Sequence, residues 1–363
     1  MSVGTRPHRN MRAGRKAPRW NSGPVLRLGS TLSLRVRPRA LTVGALSITV
    51  LAGLAVTTLV LGDMGIPLNR LWNVSAGAGK ATESFVLERL RGPRLAVAIG
   101  TGAALGIAGA LFQSVTRNPL GSPDVIGLGA GAGAGAALVA LVLPGVVPVP
   151  LGALAGAGLA VILVATVTGT GLRHPGRVIV AGIGVAAMAQ AFTHLVVSVM
   201  ARDRAAVLAS YVNGSLGARS WEHAATVWGI LLLMVPLLAV LAGRIRAAEM
   251  GDAIAAGLGA APETTRVAAI VVSVVLTAAA VSVAGPIAFV SLTAPQIARR
   301  LSGVPGPNLA LSALVGSVLL VAADLAVQHV PVGEGLPVGI FTMALGGVYL
   351  GYLLVREWRR GAL

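Results

Sequence analysis

The stretch that decides the fold runs from Leu90 to Gly129 and reads LRGPRLAVAIGTGAALGIAGALFQSVTRNPLGSPDVIGLG. An apolar run flanked by Arg91 and Arg94 carries Gly100, Gly102, Gly106 and Gly109, then breaks at the polar turn Arg117-Asn118-Pro119-Leu120. A second apolar run, with glycine at every other position from Gly127 to Gly135, follows at once. Small residues let helix backbones approach closely in lipid, where the hydrophobic effect does not drive helices together. The stretch therefore predicts two tightly packed membrane helices joined by a short, conformationally fixed loop, an arrangement suited to a transport path.

Working outward, the whole chain has the same character. Of its 363 residues 55% are hydrophobic and 11% charged, against about 25% charged in an ordinary soluble domain. Runs long enough to cross a bilayer, roughly 20 apolar residues, fall near 41–62, 95–115, 125–147, 150–170, 178–199, 225–243, 267–284, 286–298, 309–330 and 336–355. The expected fold class is all-α: one polytopic domain of about ten transmembrane helices over 41–356, with a basic leader at 1–40 lacking regular structure and a short tail at 357–363. The eighth run is short and contains Pro295 and Gln296, so its ends are the hardest to place.

Charge sets the expected orientation. The first 40 residues hold ten basic residues and no acidic one. A nucleic-acid arm is one reading of such a tail; a cytoplasmic leader obeying the positive-inside rule is the other, and it is the one adopted here. With the N-terminus inside and ten alternating crossings, inner segments hold 21 of the 29 Lys and Arg residues, whereas the acids divide five inside, six outside and one, Asp324, within a helix. The asymmetry lies in the cations alone, as the rule requires. Both termini are then cytoplasmic, in a cell-membrane protein whose net charge of +17 also attracts anionic lipid.

Several chemistries are excluded or disfavoured. The chain has no cysteine, which removes disulfides, thiolate metal sites and cysteine nucleophiles. Its five histidines lack metal-ligand spacing, and no cofactor is expected. No GxxxxGK[ST] phosphate loop is present, so ATP hydrolysis by this chain is not expected. Charge at membrane depth is sparse. Asp324, Gln113, Gln190 and His194 form no relay of the kind a proton-coupled carrier uses, and Asp324 near a helix end is expected to hydrogen-bond a neighbouring backbone. An ion-coupled secondary carrier and an intramembrane enzyme remain the competing classes.

Two aqueous regions stand out. The inner loop from Arg244 to Arg266 contains Glu249, Gly251 and Asp252, then an Ala-rich stretch ending at Gly257 to Gly259, with glycine where a helix C-cap expects it. This short helix is either a linker or a docking element. On the outer side, 69–94 and 201–223 carry arginines against the orientation rule. They are either solvated charges or a surface for an acidic partner or anionic substrate.

Strings across the chain resemble one family, the permease subunits of ATP-binding-cassette importers for iron–siderophore complexes, haem and cobalamin. These are LRGPR at 90–94, RNPLGSPDVIG at 117–127, GRVIVAGIGV at 176–185, the loop with Gly251 and Asp252, GPIAFVSLTAPQIARRL at 285–301, AAD at 322–324 and LPVGIFTMALGG at 336–347, in the family's order. The resemblance implies ten helices per subunit and two permease subunits, identical or related, around a central path. It implies cytoplasmic ATP-binding subunits and an extracytoplasmic substrate-binding protein as partners, and no nucleic acid. By position it makes Glu249, Gly251, Asp252, Leu258 and Gly259 an ATPase-coupling loop. It makes Arg91 and Arg94 binding-protein docking residues. Asn118, Leu120, His174, Pro175 and Gly176 become an inner gate, with His174 where relatives often carry a small hydroxyl residue. A further outer arginine of some relatives falls near Gln328. The implied cargo is a ferric siderophore, with haem or cobalamin as alternatives, moved inward by alternating access.

Overall fold

The computed structural model describes residues 25–28, 32–35, 37–62, 64–169, 175–200, 212–329 and 336–358. Within the leader, β1 (Val25–Leu28) pairs antiparallel with β2 (Leu32–Arg35). The rest is helical: α1 (Pro38–Val60), α2 (Leu71–Ser75), α3 (Ala81–Phe85), α4 (Gly92–Thr116), α5 (Leu128–Val142), α6 (Val149–Val167), α7 (Pro175–Val199), α8 (Trp221–Glu249), α9 (Asp252–Gly257), α10 (Pro262–Ala284), α11 (Val290–Ser302), α12 (Leu309–His329) and α13 (Val338–Trp358).

Each of the ten apolar runs is a helix, but they are not ten equal spans. Among the described residues seven helices are long and apolar enough to cross a membrane, and Leu128–Val142 and Val338–Tyr352 are shorter apolar helices. The tenth, α11, has 13 residues, about 20 Å at 1.5 Å per residue, too short for a hydrocarbon core of about 30 Å. Its N-terminal side is completed by non-helical backbone. Gly285 (φ 72°) and Phe289 (φ 68°) turn the chain at the end of α10, and the buried Ile287 lies between them. Such backbone is tolerated at membrane depth only when protein surrounds it, and here Pro286 lies against Gly129 of α5 and Gly214, and Phe289 against Gly346 of α13.

Helices α4 and α10 form the buried centre, whereas α1 and α7 are mostly exposed at the periphery. Glycine dictates the closest contacts. A Cβ on Gly102 would lie 2.5 Å from the carbonyl oxygen of Gly316, and one on Gly106 2.1 Å from that of Ser312, so α4 and α12 touch backbone to backbone. The α5–α6 pair repeats the arrangement, with Gly131 and Gly135 against Gly156 and Gly152. Both are small-xxx-small seams. Buried hydroxyls tie the same helices: Ser317 Oγ donates to the Ile99 carbonyl at 2.8 Å, and Ser273 Oγ to that of Ala108 at 2.8 Å.

Candidate functional site: a coupled inner face and a basic outer mouth

At the face expected to be inner, α8 runs out at Glu249 and the chain turns through Gly251 at φ 112°, a backbone angle that side-chain-bearing residues rarely adopt. The turn launches α9, which ends at Gly257, with Gly259 at φ 78° closing it. The short helix expected from the Ala-rich stretch is therefore present with its glycine cap. Ala255 packs inward, while Met250, Ile254 and Leu258, spaced four apart, are all more than half exposed. Ile254 and Leu258, four apart, share one helical face, so α9 presents an exposed apolar stripe, and Met250 extends it from the α8 side of the Gly251 turn. Of this stripe Leu258 was expected from sequence and Met250 and Ile254 were not. Glu249 is also exposed.

The Arg-Asn-Pro-Leu turn lies beside this element. Arg117, left-handed at φ 52°, ends α4. Asn118 Oδ1 accepts the Leu120 amide at 2.9 Å, an Asx turn that fixes the loop locally, and Leu120 is exposed. Beyond it the chain folds back. A 3-10 turn at Pro123–Ile126 precedes α5, and Ser291 Oγ donates to Asp124 Oδ2 at 2.9 Å. Burial pushes the Asp124 carboxyl up to about 6, the Ser291 hydrogen bond opposing the shift. A second polar set pins the same loop to α11. Gln296 Nε2 donates to Gln113 Oε1 at 2.7 Å and to the Pro119 carbonyl at 3.0 Å, while Gln113 Nε2 donates to the Leu292 carbonyl at 2.9 Å.

The two parts are physically connected. Arg117 Nη2 donates to Asp252 Oδ1 at 2.7 Å and to the Ala248 carbonyl at 3.1 Å, and Arg266 Nη2 reaches Asp252 Oδ2 at 3.3 Å. Asp252 is thus shared between α10 and the loop that carries Asn118 and Leu120. Arg117 carries no sequence signal that separates it from any inner arginine of the positive-inside count. Of the other expected gate residues, Pro175 opens α7 and Gly176 is exposed with open space around it. His174 lies outside the described residues.

At the opposite face, expected to be outer, a π-type turn at Val86–Arg91 joins α3 to α4. Above it opens a cavity of about 800 Å³ whose lining includes Arg89, Arg91, Arg94, Arg219, Gln328 and His329. The two arginines expected to dock a partner are engaged within the chain. Arg91 Nη1 donates to the carbonyls of Thr58 (2.9 Å), Leu59 (3.2 Å) and Leu61, closing the C-terminal end of α1. Arg94 forms a two-pronged pair with Asp324, Nη2 to Oδ1 at 2.7 Å and Nε to Oδ2 at 3.0 Å. Gln328 Nε2 adds a bond to Asp324 Oδ2 at 2.8 Å. The partner expected for Asp324 was a backbone group; the structure supplies a guanidinium instead. A neutral side chain at Gln328 suits this shell, because a second arginine there would compete for an acceptor already occupied. Arg89, by contrast, is exposed.

Comparison with known proteins agrees with this architecture. A family model described as the FecCD transport family matches residues 48–356. The ferric enterobactin transport system permease protein FepG of Escherichia coli is 39% identical over 301 residues, 82% of this chain and 91% of that protein. A probable siderophore transport system permease protein of Bacillus subtilis, YfhA, is 35% identical over 330 residues, 85% of this chain and 93% of its own length. In fold, the chain matches an inward-facing metal-chelate type ABC transporter with a TM-score of 0.76 at 22% identity, covering 87% of this chain and 99% of the other. The match runs from within α1 to the end of α13, so the whole membrane domain is accounted for: the chain is a multi-pass permease that belongs to the FecCD transport family.

Proposed function

We propose that this chain is the membrane-spanning subunit of an ATP-driven importer that carries a ferric siderophore inward by alternating access. The observation that carries the reading is the inner face, where an apolar stripe on α9 is tied through Asp252 and Arg117 to the loop bearing Leu120. An exposed apolar stripe of this kind marks a contact surface. A cytoplasmic ATPase seated on Met250, Ile254 and Leu258 would act directly on that loop. The cargo follows from the relatives, whose names specify ferric enterobactin, siderophores, ferric citrate and achromobactin.

The remaining parts follow the same frame. The coupling loop comprises Glu249, Gly251, Asp252, Leu258 and Gly259, with the two glycines setting its backbone. The inner gate comprises Asn118 and Leu120, together with His174, Pro175 and Gly176. A second permease subunit, the same chain or a related one, completes the path. The orientation, with both termini cytoplasmic in the cell membrane, rests on the bias of Lys and Arg. At the outer mouth an extracytoplasmic substrate-binding protein meets the rim of the arginine-lined cavity. Such a basic rim steers an acidic partner and makes docking sensitive to salt. Arg89 is available for direct contact, and Arg91 and Arg94 contribute positive potential from their engaged positions.

The test is affinity purification of the tagged chain from its membrane. An ATPase subunit that co-purifies, and is lost when Met250, Ile254 and Leu258 are all replaced by Glu, supports the reading. Transport that proceeds with no associated ATPase and runs down with the proton gradient returns the chain to the class of secondary carriers.

A further inference from the structure

We propose that Arg117 is a positioning residue that transmits motion of α9 to the loop bearing Asn118 and Leu120, through its ion pair with Asp252. The inference rests on the reading of α9 as the element on which an ATPase docks, and assigns the link by which that docking reaches the gate.

The geometry is that of a short rod between two elements. Arg117 caps the C-terminal end of α4, held at φ 52°, ψ 29°, so its side chain leaves from the helix end and crosses to the α8–α9 junction. There one terminal nitrogen, Nη2, meets two acceptors on either side of Gly251: the Ala248 carbonyl at 3.1 Å and the Asp252 carboxylate at 2.7 Å. Arg117 therefore touches both sides of the hinge at which α9 turns. Arg266, in the first turn of α10, holds the other carboxylate oxygen at 3.3 Å. At its backbone end Arg117 is bonded directly to Asn118, whose side chain caps Leu120. The far side of the loop is anchored to α11 by Gln296 on the Pro119 carbonyl and by Ser291 on Asp124. A displacement of α9 thus enters the loop at Arg117 and works against the anchors at Pro119 and Asp124, so the exposed Leu120 between those anchors is where it is read.

Stability does not explain the pair. Both side chains are about half exposed, 54% and 53%, and exposed ion pairs add little to folding. A partner covering α9 would exclude water from the pair and strengthen it, so the link tightens when it has force to carry. The planar guanidinium also holds two acceptors in fixed directions, which a lysine does less well.

The chain lacks cysteine, which permits a direct test on the full assembly in inside-out vesicles. Leu120→Cys is labelled with a membrane-impermeant thiol reagent with and without ATP. In the otherwise native chain ATP is expected to change the labelling rate severalfold. With Arg117→Ala added, the rate is expected to be insensitive to ATP, while the ATPase still co-purifies and still hydrolyses ATP. Arg117→Lys is expected to restore part of the response. An undiminished ATP response in Arg117→Ala overturns the link. So does loss of ATPase capture in that variant, which would make Arg117 part of the docking surface instead. The assay needs no cargo, so it decides even if every siderophore tested fails to enter. Absence of any ATPase and any ATP response in the native chain refutes the proposed function, and the link with it.

Discussion

Replacing Arg94 by Gln is the most informative single perturbation of the outer half. Asp324 is almost wholly buried (3% exposed), whereas Arg94 keeps 24% of its side-chain surface in contact with the cavity. Removing one partner of a buried pair typically costs about 3–5 kcal/mol, because the other charge is left uncompensated. Arg94→Gln strands the buried partner, with Gln328 as its remaining side-chain donor. The expected cost is about 3 kcal/mol, the low end of the range because the cavity admits some water. Asp324→Asn strands the arginine instead, which can swing into the cavity, so a smaller loss of about 1.5–2 kcal/mol is expected, the low end for a hydrogen bond to a charged group. The double variant Arg94→Gln, Asp324→Asn leaves no charge behind and should be more stable than Arg94→Gln alone. The assay is thermal retention of monodisperse protein in detergent at a single heating rate, since unfolding of such proteins is irreversible. A cost of 3 kcal/mol corresponds to a drop of roughly 6 °C at about 2 °C per kcal/mol, the lower end for large domains. Additive losses in the double variant, or equal losses in the two singles, would refute the reasoning and return Arg94 to the role of a free docking cation.

Three further outcomes follow from the geometry. Gly106→Ala puts a Cβ 2.1 Å from the Ser312 carbonyl oxygen, so α4 and α12 must part, at about 1–3 kcal/mol for an overpacked contact; Gly158→Ala, with nothing within 4 Å of the new Cβ, should leave thermostability unchanged. Gly251→Val strains a φ of 112° by about 1–3 kcal/mol without a steric clash, and is expected to abolish ATPase co-purification while the membrane domain stays monodisperse. Asp124 has a folded pKa raised to about 6 above its unfolded value, so its contribution is fully present below the unfolded pKa and lost as pH rises through 6. Thermal retention should accordingly decline between about pH 4 and pH 6, and Asp124→Asn, which still accepts the Ser291 hydrogen bond, should flatten that decline.

Much of the fold was legible because lipid imposes a simple code. Length and apolarity located all ten helices, and the density of glycine in the second and third runs marked α4 and α5 as close-packed. The code fails where backbone does something other than span. The run at 286–298 reads only as a short apolar segment with ends that are hard to place, whereas Gly285 and Phe289 turn it into extended chain followed by a half-length helix. No periodicity distinguishes that from a frayed span. The loop at Gly251 was legible for a local reason, since a glycine before an Asp-led Ala-rich stretch signals both a turn and a helix start. Long-range polar pairing was not. Arg94 and Asp324 lie 230 residues apart, and Arg117 and Asp252 lie 135 apart. A sequence shows that such charges exist but not which of them meet, so Arg94 read as an outward cation and Arg117 as one more inner charge.

The central claim is that this chain moves a ferric siderophore into the cell at the expense of ATP hydrolysed elsewhere. The most direct measurement is uptake of radio-iron as ferric enterobactin, ferric citrate and ferric hydroxamates, beside labelled haem and cobalamin, in cells with and without the gene. The account predicts that deletion abolishes uptake of one ferric siderophore, and that the intact chain restores it while a chain carrying Gly251→Val does not. Undiminished entry of every ferric siderophore together with loss of haem or cobalamin uptake would contradict the assigned cargo. Restoration by a chain that binds no ATPase would contradict the mechanism.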